Sequence, residues 1–333
     1  MISPLYRRVS SKKHRAGFAI GFACATLFVF SGCSFGPTNA SVQLAAPPPL
    51  QYMGDWGIKG TGPGQLDQPT SIATDMRGNV YIADPGSQFI DKFQPGGTPL
   101  LSFQQPGLKH PQEIAVDRGG AIYVTDPVRV SVFVFLPDGS RYREIRIPGR
   151  GNEENTLDVA VDDAGSLDIL DVDSAKLYDF NPRFHLAHVW KPGMGGPHGP
   201  GRPTSVVSGP SDSIFVGGLG NDSLLRFYDG KFAAQVSLAA GSQADSSSAT
   251  PDAPSNRIGD QFAVSANYIF LVDPDGKTLH VWTLDGKPKA ALDLSAQLGD
   301  DRHSAPPIAV TPSNDLLVLD TQKARVYHYH LNL

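Results

Sequence analysis

The chain has 333 residues, with 28 Lys and Arg against 33 Asp and Glu, so its formal net charge is −5. Five of the basic residues and no acidic one precede residue 33, which leaves the chain from Cys33 onward near −10 and disfavours nucleic acid as a partner. Only two cysteines, Cys24 and Cys33, are present, which excludes a disulfide framework, and 35 Gly with 28 Pro and no sustained helical periodicity point to many short strands joined by turns.

The first element is not part of the folded body. Arg7, Arg8, Lys12, Lys13, His14 and Arg15 precede an apolar run from Ala16 to Phe30, the pattern of an export signal. Fifteen residues of helix fall short of a ~30 Å hydrocarbon layer, so a permanent span is the weaker reading. The run ends Phe30-Ser31-Gly32-Cys33, which resembles the lipobox of bacterial lipoproteins. That resemblance implies a signal over 1–32, cleavage after Gly32 and lipidation of Cys33, with acyl chains enough for stable anchoring. Ser34 after that cysteine resembles the sorting preference for the outer membrane in a cell with two membranes, which implies an exported, membrane-anchored lipoprotein on the periplasmic side. Residues 33–49, containing SFGPTNASVQLAAPPP, show no alternation and read as a tether reaching at most ~55 Å.

From residue 50 to 333 one phrase recurs. Asp84, Asp126, Asp171, Asp273 and Asp320 each close a short apolar run (VYIAD, IYVTD, LDILD, IFLVD, LLVLD), and Gly218 closes IFVGG. Nine residues after each comes an aromatic: Phe93, Phe135, Phe180, Phe227, Trp282 and Tyr329. Spacings of 42, 45, 47, 55 and 47 residues fit a repeat that is one four-stranded blade. Each unit reads as strand a (SIATD in the first), strand b (NVYIAD), strand c (FIDKF) and strand d (LLSF), with Asp138-Gly139, Asp229-Gly230 and Asp285-Gly286 placed for tight c–d hairpins. Only four residues follow Tyr329, too few for a last strand d, while Leu50–Trp56 precedes the first strand a without a blade of its own. The expected fold is therefore all-β: a six-bladed propeller of four-stranded antiparallel blades, closed by an N-terminal strand completing the last blade.

The stretch GIKGTGPGQLDQPTSIATDMRGNVYIADPGSQFIDKFQPGG resembles one NHL repeat, whose pattern runs through a glycine-rich loop and Pro to I-A-V-D, then G-N-V-Y-V-A-D and a strand ending I-x-x-F. The other five units match its strand core and aromatic. The basic residue that the family carries five positions after the aspartate is matched by Lys176 and Arg325.

Chemistry is expected on the face carrying the d–a and b–c loops. His110, His198 and His303 enter alternate blades, where three imidazoles could hold zinc, and the peptide-amidating lyases, whose fold resembles this one, use such a triad. At the start of strand a the ring Ser71, Glu113, Asp158, Ser205, Gln261 and Pro307 sets two carboxylates from neighbouring blades at the channel mouth, where oxygen ligands could bind Ca²⁺. Arg129, Lys176, Lys323 and Arg325 give the b–c loops positive charge. No nucleophile elbow, P-loop, CxxC or HExxH occurs. The sequence thus favours a lipid-anchored cell-envelope binding or scaffold protein without a required cofactor, presenting loops to a protein, peptide or envelope polymer, over the alternative of a metal-dependent lyase or hydrolase of the propeller type.

Overall fold

The structure, a computed structural model, describes residues 49–149, 155–191, 203–218, 223–238, 261–273, 276–299 and 304–333. The signal, Cys33 and the tether up to residue 48 lie outside the described residues. Within them, twenty-four strands form six four-stranded sheets.

The first blade is β2 (Ser71–Thr74), β3 (Val80–Asp84), β4 (Phe89–Phe93) and β5 (Pro99–Phe103), paired in that order. The second is β6 (Ile114–Val116), β7 (Ile122–Asp126), β8 (Ser131–Phe135) and β9 (Arg141–Arg146). The third runs β10 (Leu157–Val161), β11 (Leu167–Asp171), β12 (Lys176–Phe180) and β13 (Leu186–Trp190). The fourth runs β14 (Ser205–Gly209), β15 (Ser213–Gly217), β16 (Ser223–Tyr228) and β17 (Lys231–Ser237). The fifth contains β18 (Phe262–Val264), β19 (Tyr268–Val272), β20 (Thr278–Thr283) and β21 (Pro288–Asp293).

The sixth sheet contains the closure. Its order is β1 (Leu50–Trp56), β24 (Arg325–Leu331), β23 (Asp315–Asp320) and β22 (Ile308–Val310), so the start of the body supplies the outermost strand of the last blade. The register runs antiparallel from Leu50 opposite Leu331 to Trp56 opposite Val326, with a bulge between Tyr52 and Gly54. The pairing covers the edge of β24 that would otherwise be open. Trp56 then packs on Phe93 of the first blade, ring centroids 4.9 Å apart.

Packing between blades explains the repeated residues. Phe93, Phe135, Phe180, Phe227, Trp282 and Tyr329 are all buried, and each apolar cluster joins residues of two adjacent blades. The six clusters follow one another round the ring, including one that joins the first blade to the sixth. Truncating one of these aromatics to Ala removes a shared wall and costs about 3–5 kcal/mol. At the c–d hairpin of the second blade Gly139 has φ 82°, and a Cβ there would lie 2.8 Å from the Phe103 ring of the blade before it. Glycine is needed there both for the turn and for the approach of its neighbour.

One element lies outside the repeat. After β21 a single helical turn, α1 (Ser295–Leu298), occupies the loop leading into the sixth blade and buries Leu298.

A carboxylate pair at the mouth of the central channel

The inner strands β2, β6, β10, β14, β18 and β22 line a central cavity of about 530 Å³. Its two ends differ in chemistry. Where these strands begin, Ser71, Glu113, Asp158, Ser205 and Gln261 face the lumen; where they end, the lining is Thr74 and Ser208 among valines. The ring foreseen from the sequence is therefore assembled at one mouth.

Backbone links between blades hold it. Thr70 Oγ1 donates to the Gln112 carbonyl at 2.6 Å, and the Ile114 amide donates to Ser71 Oγ at 3.3 Å. One blade further, the Val206 amide donates to Asp158 Oδ2 at 2.7 Å, while Asp158 Oδ1 accepts the Val159 amide at 2.7 Å. The Asp158 carboxylate is thus fastened to the fourth blade, and the backbone on either side of Glu113 to the first.

The two sites are electrostatically coupled but not equivalent. Glu113 is raised well above its ordinary value, first by burial and then by the charge of Asp158, against a hydrogen bond from Ser71. Asp158 is also raised by burial, but the Val206 and Val159 amides and the Ser205 hydroxyl oppose the shift. Protein encloses both on every side except the lumen, onto which each keeps partial exposure, and that exposure tempers the shifts. More donors favour the anion of Asp158, so Glu113 is the group that holds the proton.

The other residues singled out from the sequence lie elsewhere. His110 is exposed, and His198 and His303 lie outside the described residues. Among the described residues no group of three His, Cys, Asp or Glu is placed to hold a metal ion. Arg129 pairs with Glu144 at 3.3 Å, and Lys323 donates to the Leu298 carbonyl at 2.9 Å. Arg325 pairs with Asp55 of the closing strand, and Lys176 opens β12 opposite Asp171. Three of the four basic residues therefore have structural partners.

Among the buried carboxylates that the sequence does not single out is Asp168 in β11. Its signal was a break in the repeat, because the same position in the other blades holds Tyr81, Tyr123, Phe215, Phe270 and Leu317.

No protein-family model and no curated protein matches the chain. Solved structures do match. A streptogramin B lyase structure superposes with TM-score 0.57 at 12% identity, covering 84% of this chain and 97% of that one. Virginiamycin B lyase from Staphylococcus aureus superposes with TM-score 0.54 at 12% identity, covering 85% of this chain and 89% of its own. A catalytically inactive variant of that enzyme with quinupristin gives the same figures. At this identity the likeness establishes the fold: a six-bladed propeller related to lyase structures. It corrects one expectation, the preference for a non-catalytic role, because the matched propellers are enzymes and the fold carries no presumption against catalysis.

Proposed function

We propose that the chain is a propeller-type enzyme, a lyase in which Glu113 and Asp158 act as acid and base at the channel mouth. The carrying observation is that neighbouring blades set two enclosed carboxylates on one channel mouth with unequal donors, Asp158 accepting the Val206 and Val159 amides and Glu113 raised by burial and by the Asp158 charge. Pairs whose environments push their acidities apart divide acid from base work at one pH. In an elimination, the Asp158 carboxylate takes a proton from carbon and a double bond forms. The bond to the leaving oxygen breaks, and Glu113 delivers its proton to that oxygen. Transfer of a proton from Asp158 to Glu113 then restores the starting state. The protein, peptide or envelope polymer foreseen as partner becomes the substrate class, and the 530 Å³ channel is of a size to receive one segment of it.

The NHL-like repeat and the lipid anchor at Cys33 belong to this reading as proposals. An exported enzyme held by acyl chains would meet its substrate at the envelope, and Cys33→Ser should move the protein from membrane to soluble fractions.

Mass spectrometry tests the reaction class on a panel of cyclic and linear substrates that begins with quinupristin. Ring opening by elimination leaves the mass unchanged, whereas hydrolysis adds one water. Glu113→Gln and Asp158→Asn should each lower turnover by about 10²–10⁴-fold, the range for loss of an acid or base. The reading fails if both variants keep wild-type turnover. It fails equally if the labelled Glu113 carboxyl carbon titrates at its ordinary value.

A further inference from the structure

Far from the channel mouth, between the third and fourth blades, a second cavity of about 380 Å³ opens on the side of the a–b turns and c–d hairpins. It lies where one row of residues departs from the repeat. Each blade carries a row of four residues across one face of its sheet. In the first this row is Ala73, Tyr81, Lys92 and Leu101, and in the fourth Val207, Phe215, Arg226 and Ala234. In both, the cation of strand c lies over the aromatic of strand b, Lys92 at 4.9 Å from the Tyr81 ring centre and Arg226 at 5.5 Å from that of Phe215.

The third blade has Ala160, Asp168, Asp179 and His188 in that row. A carboxylate replaces the space-filling side chain, and a second carboxylate stands directly opposite, where the first and fourth blades carry a cation and the second and fifth carry Val134 and Val281. Like charges at such a cross-strand position repel. Asp179 Oδ2 accepts from His188 Nδ1 at 3.0 Å, but Asp168, only 4% exposed and lining the cavity, has no hydrogen-bond or ion-pair partner among the described residues. Asp162, Asp212 and Asp229 add three more carboxyl groups to the lining, and no Lys or Arg among the described residues lines it. Trp190, stacked on His188 with ring centroids 5.0 Å apart, supplies an aromatic wall. At the rim Gly230 has φ 65°, and a Cβ there would lie 2.9 Å from Asp179 Oδ2.

We propose that this cavity binds a small organic cation bearing a primary ammonium or guanidinium group, seated between Asp168 and Asp179 against Trp190. Such a ligand supplies the positive charge that Lys92 and Arg226 supply in the first and fourth blades and fills the volume that the absent ring leaves. Burial, reinforced by the charges of Asp179 and Asp162, raises Asp168 well above its ordinary value, so without a cation beside it the group favours its proton, and a bound cation favours the anion instead. A bare divalent ion is a poorer match, since Ca²⁺ takes 6–8 oxygen ligands and no three-ligand group is formed among the described residues. The site is independent of the channel chemistry.

Calorimetric titration and thermal shift of the full chain with agmatine and with putrescine test it, with KCl at matched ionic strength and CaCl₂ as controls. Both amines should bind saturably and stabilise the wild type. Asp168→Asn should weaken binding about tenfold or more. Asp168→Tyr, which installs the residue of the first two blades, should abolish binding while the fold and melting temperature are kept or improved. Absence of saturable binding, binding undiminished in Asp168→Asn, or stabilisation by Ca²⁺ equal to that by the amines would overturn the assignment. So would tighter binding of a lysine-bearing peptide than of the free amines. If Asp168→Tyr does not fold, Asp168→Asn decides alone.

Discussion

Asp84 at the end of β3 and Glu113 just before β6 are both carboxylates enclosed by protein, and they are furnished differently. Asp84 is fully buried and accepts four amides, from Asp67 at 2.6 Å, Gln68 and Gly86 at 3.0 Å and Ser87 at 3.2 Å. It ties the loop entering its blade to the turn leaving strand b. Asp126 does the same with the Lys109 and Arg129 amides, and Asp320 holds the amides of Gln322 and Lys323. Glu113 has Ser71 and a neighbouring negative charge instead. Repetition marks the carboxylates that build the ring, and singularity marks those left with chemistry to do. Buried charge with a full complement of donors is structure; buried charge without one is free energy available to a ligand or a proton.

The comparison can be broken most directly at Asp84. Asp84→Ala leaves four enclosed amides without their acceptor and should lower unfolding free energy by about 3 kcal/mol or more, read from urea denaturation. A loss under ~1 kcal/mol would show that water serves those amides equally well. Phe135→Ala, tested beside it, calibrates the scale through a purely apolar loss.

Glu113→Gln should act in the opposite direction. Its folded-state value is raised above 4.5, so the folded protein binds the extra proton and the wild type loses stability as pH rises from that value through the folded one. The variant escapes this loss. Melting curves of the two should coincide near pH 4 and separate toward neutrality with Glu113→Gln the more stable, at the expense of the proposed activity. Equal stability at every pH would mean that the channel hydrates Glu113 as well as bulk water does. Asp91 offers a smaller check of the same kind: burial pushes it up to about 6, against hydrogen bonds from Ser102 and the Gly64 amide. Asp91→Asn should therefore gain on the wild type as pH rises from 3.8 through that value and hold the gain above it.

How much of this was legible in the sequence follows from the same distinction. The blades were, because an aspartate and an aromatic nine residues apart recur at one spacing and strand alternation does the rest. Closure was too, since four residues after Tyr329 cannot make a strand and Leu50–Trp56 had no other partner. The meeting of Glu113 with Asp158 could be inferred, as adjacent blades bring equivalent positions together at the axis. Their inequality could not, because it depends on which backbone amides point at which oxygen. Nor could the third-blade cavity be foreseen from Asp168 alone, since a polar residue in a strand b signals a void only when the face it occupies is known to be packed. The turn at Ser295–Leu298 is too short to leave a periodicity. The role of Arg325 was hidden by distance along the chain, its partner Asp55 lying 270 residues away.

That pair gives the smallest effect and the clearest contrast in sign. Asp55 is held below its ordinary value chiefly by the Tyr52 hydroxyl, with burial opposing and Arg325 assisting, and in return the Tyr52 hydroxyl is pushed up to about 12. A lowered carboxylate contributes stability that is present above 3.8 and disappears as pH falls through the folded value. Arg325 and Asp55 keep 47% and 26% side-chain exposure, so solvent and salt screen them. Asp55→Asn should then cost less than about 1 kcal/mol at neutral pH, with the difference shrinking in 1 M salt and vanishing in acid. For Glu113→Gln the two curves part as pH rises, with the variant above; for Asp55→Asn they also part as pH rises, with the variant below. Urea denaturation at pH 3 and pH 7 distinguishes the cases. A cost near 3 kcal/mol for Asp55→Asn would mean that the ring is locked by this ion pair, not by the backbone pairing of β1 with β24 and the seat of Trp56 on Phe93.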